Sequence, residues 1–335
     1  ARLAHPPLRR PRLQEGFIRP LIAIALPGAM FGLMFAMGLS LSSDDFRRIA
    51  RSPKATIVGT VLQLLVMPLV SLGLALALDM PALLAAGLVV IGACPGGMFS
   101  NMYVHLARGN TALSITLTAT ATLVTLFTLP LWVRLAVSTF STDGSATIEM
   151  PVLGTALRLG TMTVLPVAIG MWARPRWPTL LRFDRRISIA AAIVIVIGAA
   201  AEGASRPDVP PALFLEGAIA AGWFAIAALL VGVLLPALLR ISTRDTVTIA
   251  VELVVKNTLL GIVLVSQVLE FEAVIPIFGF ALFQTPTGIA LLVAWKALER
   301  RGILAAEPAV VTAEVASALA RSPQTAGTER SGEVS

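Results

Sequence analysis

The run "ACPGGMFSNMYVHLARGN", residues 93–110, interrupts an apolar stretch in its middle. Residues 82–92 before it are all Ala, Leu, Val, Ile or Gly. Pro95 lacks a backbone N–H, and Gly96 and Gly97 are the least helix-stabilising ordinary residues. The pattern predicts a helix that breaks at 95–97. Carbonyls and amides freed there could coordinate an ion or an anion, and Ser100 and Asn101 follow with side-chain oxygens. A simple kink, common in membrane helices, is the plainer alternative.

The surroundings make this a membrane question. The chain of 335 residues is 56% hydrophobic and 13% charged, with a mean hydropathy of +0.85, where soluble domains carry about 25% charged residues. A spanning helix needs about 20 apolar residues. Nine segments qualify: 20–42, 55–78, 82–106, 111–137, 151–173, 187–204, 211–237, 245–269 and 272–297. The runs are continuous rather than alternating, which argues against a β-barrel. The expected class is an all-α polytopic membrane protein of about nine transmembrane helices.

The net charge of +7 does not indicate nucleic-acid binding, because the positive residues sit in short loops between spans. One set of alternate loops holds Arg47, Arg48, Arg51 and Lys54; Arg108; Arg174, Arg176, Arg182, Arg185 and Arg186; Arg240 and Arg244; and Arg300 and Arg301. The opposite set holds only Arg134 and Arg206. Positive loops stay in the cytoplasm, so the C-terminus is expected there and the N-terminus outside, in the cell (inner) membrane. The basic arm 1–19, with five arginines, opposes this assignment, and the loops outnumber it. Residue 1 is Ala rather than Met, which leaves the start of the arm open. Residues 20–299 form the expected transmembrane domain, and 300–335 a polar cytoplasmic tail expected to be mostly disordered.

The single cysteine, Cys94, and two histidines exclude a disulfide framework and a His- or Cys-rich metal centre. No metalloprotease motif or nucleophile elbow is present, so an enzyme is not expected.

A second unusual stretch is "VELVVKNTLLG", residues 251–261. A charge at the bilayer centre costs about 3 kcal/mol on insertion scales. Glu252 and Lys256 are four apart, which in a continuous helix puts them on one face. They read either as a self-neutralising pair that fixes packing or as part of a substrate or ion pathway. Lys stands here although the chain has three lysines against 23 arginines, which favours a compact, titratable charge over a permanently charged fork. Gln63, mid-span in "VLQLLVMP", could merely bond a neighbouring helix. Ser114 and Thr118 lie one turn apart in the fourth segment, where hydroxyls usually bond their own backbone. Each broken polar span precedes a span with polar interruptions, the last with "FQTPTG" at 283–288. Inverted-repeat secondary transporters have this arrangement.

Taken together, "FAMGLSLSSDDFRRI", "QLLVMP", "GACPGGMFSNMYVHLARGNTALS" and "VELVVKN" resemble the bile acid:sodium symporter family over about residues 30–297. The resemblance implies inverted repeats and a panel and a core domain, with two broken helices crossing in the core. It makes 20–42 the second helix of a ten-span pattern. It implies a first sodium site of Ser100, Asn101, Ser114, Thr118 and Glu252, all oxygen donors suited to a hard cation. A second sodium site is implied at Gln63 and Glu252, but its usual Gln is Lys256 here. That departure predicts that the second site is lost, with Lys256 as a tethered cation. Proton coupling through Lys256, or direct capture of a substrate carboxylate, are the alternatives. Substrate contacts are expected from Asn257, with Met98, Gln284 and Thr285 as departures in the cavity. The function implied is sodium-coupled symport of an organic anion by alternating access. A sodium-independent or proton-coupled carrier is the alternative, and a non-transporting sensor or channel comes behind it.

Overall fold

The computed structural model describes residues 15–40, 53–97, 99–140, 152–204 and 209–301. Among these, the regular structure is helical. α1 spans Glu15–Ser40, and α2 Pro53–Val61 runs through a π-helical stretch, Leu62–Val66, into α3 Met67–Ala77. α4 is Ala82–Ala93, α5 Ser100–Leu106, α6 Thr111–Phe140 and α7 Val152–Arg176. A 3₁₀ turn, Pro178–Arg182, leads to α8 Asp184–Ala204. α9 is Pro211–Leu238, α10 Thr243–Val254 and α11 Thr258–Val268. A second 3₁₀ turn, Phe271–Val274, opens α12, Ile275–Arg300. By its contacts the chain divides into residues 1–296 and 297–335, and the described part of the second unit is the end of α12 with Arg301.

Among the described residues, three helices are long and apolar enough to cross a bilayer: Pro53–Ala77, Pro211–Leu238 and Phe271–Arg300. The pair Thr111–Thr125 and Phe127–Phe140, bent by 51°, is long and apolar enough for a fourth when taken as one span. Leu238 and Leu282 are 75% and 71% exposed. Such large apolar surfaces on spanning helices face lipid, where burial against protein is not required. Hydrocarbon provides no hydrophobic force between helices, so close backbone approach must do the packing. α1 meets α7 in this way: a Cβ on Gly38 would overlap the Val167 carbonyl, and one on Gly170 the Phe35 carbonyl. α9 meets α10 likewise, with Gly232 against Ala250.

Two expected spans are interrupted. Segment 82–106 divides into α4 and α5, and 245–269 into α10 and α11. The second interruption corrects the one-face reading of Glu252 and Lys256. The helix ends at Val254, so Lys256 lies in the break and not a turn further along the same helix.

Candidate functional site

The two interruptions pair with each other. α4 ends where Cys94 turns extended (φ −65°, ψ 145°). α10 gives way at Val255 (φ −102°, ψ 86°), the residue after its end, and Asn257 caps α11. The backbones form an antiparallel bridge between Gly96 and Lys256. Gly97 N–H donates to the Val255 carbonyl at 2.8 Å, and Asn257 N–H to the Pro95 carbonyl at 2.9 Å. Backbone groups inside a bilayer must find protein partners, and each break supplies them to the other. The glycines permit the approach. A Cβ on Gly96 would overlap Glu252 Oε2, and one on Gly97 would lie 2.9 Å from the Lys256 carbonyl oxygen.

Glu252, in the last turn of α10, is fully buried. Ser100 Oγ from α5 donates to its Oε1 at 2.7 Å, Ser114 Oγ from α6 lies 2.5 Å from Oε1, and Thr118 Oγ1 donates to Oε2 at 2.9 Å. Ser114 Oγ is also 2.7 Å from Asn101 Oδ1, and Ser100 Oγ 2.7 Å from the Gly97 carbonyl. The structure thus brings Ser100, Asn101, Ser114, Thr118 and Glu252 together. Their neighbours show the ordinary behaviour: Thr116 and Thr122 bond back to the Ala112 and Thr118 carbonyls. A hydroxyl carries one proton. Ser100 and Ser114 each face two acceptors, so the cluster holds more acceptor oxygens than protons to share among them.

Lys256 is 2% exposed. Its ammonium donates to the carbonyls of Gly92 at 3.0 Å and Cys94 at 2.9 Å. These are end-of-helix carbonyls released by the break after α4. Its backbone N–H donates to Gln284 Oε1 at 3.1 Å, and Gln284 Nε2 reaches Thr258 Oγ1 at 3.4 Å. Gln63 lies in the π-helical stretch, fully buried, and neither of its amide atoms has a hydrogen-bond partner. Its Nε2 is 3.4 Å from where a Gly96 Cβ would stand. Asn257 Oδ1 accepts from Leu260 N–H at 3.0 Å, which caps α11. Thr285 is exposed. Met98 lies outside the described residues.

Sequence reasoning missed a buttress beside this centre. Arg108 adopts φ 56° at the end of α5. Asn110 then caps α6 through Leu113 N–H at 3.1 Å. It also donates from Nδ2 to Asp245 Oδ1 at 2.8 Å and from its backbone to Thr248 Oγ1 at 2.7 Å. The signal available was the Gly-Asn pair before an apolar run, the usual composition of a helix start.

The fold and site define an integral membrane protein with an oxygen-rich polar centre where two interrupted helices meet. Residues 27–205 match the model of the sodium bile acid symporter family. The chain is 31% identical over 254 residues to the ileal sodium/bile acid cotransporter of Homo sapiens, covering 75% of this chain and 71% of the relative. It is 29% identical over 263 residues to the sodium-dependent transporter YocS of Bacillus subtilis, covering 78% and 80%. It is 28% identical over 289 residues to the sodium-dependent organic anion transporter of Rattus norvegicus, covering 84% and 76%. The chain belongs to the sodium bile acid symporter family, a family of transporters and not of enzymes.

Proposed function

We propose that this protein is a secondary active transporter that carries an organic anion together with sodium by alternating access. The observation that supports this best is the Glu252 cluster. Its donors are a carboxylate, three hydroxyls and an amide oxygen, a set without nitrogen or sulfur donors that suits a hard cation. Its surplus of acceptors over protons is relieved when a cation takes the centre and each hydroxyl oxygen turns a lone pair inward. The names of the relatives, which couple sodium to bile acids or organic anions, agree with this reading. In it, the crossing helices belong to a core domain that moves against a panel across a membrane domain of nine spans, residues 20–299. Asn257 presents its amide to the substrate, with Gln284 beside it.

The loop charges orient the molecule with the C-terminus inside. Two contacts support the grouping of these loops on one side. Lys54 Nζ donates to the Leu239 carbonyl at 2.7 Å, and Asn110 reaches Asp245.

The test is thermal unfolding of the purified protein in NaCl against KCl at equal ionic strength. An ion bound only by the native state stabilises it by about 2.7 kcal/mol at a hundred times its Kd. The wild type is expected to show a sodium-specific rise, and Glu252→Gln none. A sodium response of equal size in both would refute the assignment.

A further inference from the structure

A buried ammonium stands among oxygens four residues along the chain from Glu252, the carboxylate of the proposed sodium centre. Lys256 Nζ donates to the Gly92 and Cys94 carbonyls. At Gly96, Glu252 Oε2 fills the place a Cβ would take, and Gln63 Nε2 stands 3.4 Å from that place. The Gln63 amide is fully buried without a partner on either atom. The carboxylate and the unpartnered amide thus meet at Gly96, whose backbone pairs with that of Lys256, while carbonyls of the same break hold the ammonium, a cage of oxygens whose positive charge comes from a side chain.

We infer that Lys256 supplies a tethered cation to this cage, so that the protein takes up one sodium ion per cycle and would take up two once that ammonium is removed. The inference deepens the proposed function and rests on it for the first ion. The physical argument is charge balance. A carboxylate and an ammonium are both buried here, and leaving either alone would cost several kcal/mol. With both present the empty centre is neutral. One sodium at the Glu252 cluster makes it positive by one unit, and a positive centre binds an anion. Sodium entry therefore raises anion affinity, and the anion raises sodium affinity by the same factor. The ammonium also holds the end of α4 against the break after α10, so the cation that joins the two interruptions cannot dissociate.

The experiment counts ions without a transported substrate. Well above the Kd, the rise in unfolding temperature per tenfold increase in ligand is proportional to the number of ions bound. Wild type, Lys256→Gln and Lys256→Ala are titrated with NaCl, with N-methylglucamine chloride holding ionic strength constant. The variants are expected to be less stable at low sodium and to rise about twice as steeply as the wild type. Equal slopes in wild type and variants, or variants that sodium fails to fold at any concentration, overturn the inference. A flat wild type with a single-ion slope in the variants overturns the Glu252 sodium site instead, and keeps the lysine as the occupant of the cage.

Discussion

Glu252 gathers hydroxyls from two other helices, and the backbone of Gly96 closes over it. At this scale the tightest constraint is steric. In Gly96→Ala the methyl would occupy the space of Glu252 Oε2, so the carboxylate must leave or the crossing must open. The expected result is a loss of about 2–4 kcal/mol in stability together with loss of the sodium-specific rise in unfolding temperature. An alanine variant with wild-type sodium response would contradict this placement of the carboxylate. Composition and spacing alone did not separate Ser114 and Thr118 from Thr116 and Thr122, since all four are hydroxyls on one helix. Only the resemblance gave the first two, noted for their one-turn spacing, a role. Their partner lies more than 130 residues away in the chain, beyond the reach of local pattern. Gln63 was legible as a polar residue in an apolar span, but its lack of partners was not.

The two interruptions differed in how plainly the chain announced them. Pro95, Gly96 and Gly97 combine a missing donor with poor helix formers, and the helix stops at Ala93. Val255, Lys256 and Asn257 contain neither Pro nor Gly, so periodicity read straight through them and placed Lys256 on the face of Glu252. The break there comes from tertiary pairing with the first interruption and from Asn257, whose side chain restarts the helix. The loop before α6 shows the same capping chemistry. Asn110→Ala removes the cap of α6 and the side-chain bond to Asp245, and should cost about 1–2 kcal/mol. Its sodium affinity should also fall, because Ser114 and Thr118 ride on that helix. A melting curve and a sodium titration unchanged from wild type would show that this buttress has no part in positioning the site.

For the whole molecule, hydropathy conveyed the membrane class because lipid-facing helices keep their apolar residues exposed. It also ran 245–269 together as one apolar segment, which the structure divides into α10 and α11. Orientation rests on loop arginines and on contacts that join three of the loops. Cys94 is buried, so an introduced cysteine can be read alone. In intact cells a membrane-impermeant maleimide should label Pro210→Cys and spare Arg182→Cys, the reverse holding for inside-out vesicles. Labelling of Arg182→Cys in intact cells would invert the topology.

The most direct test of the central claim is equilibrium binding of radioactive sodium to the purified protein. The account predicts saturable binding of one ion per wild-type molecule that potassium does not displace, and none in Glu252→Gln. Undiminished binding in that variant, or no saturable binding in the wild type, would contradict it.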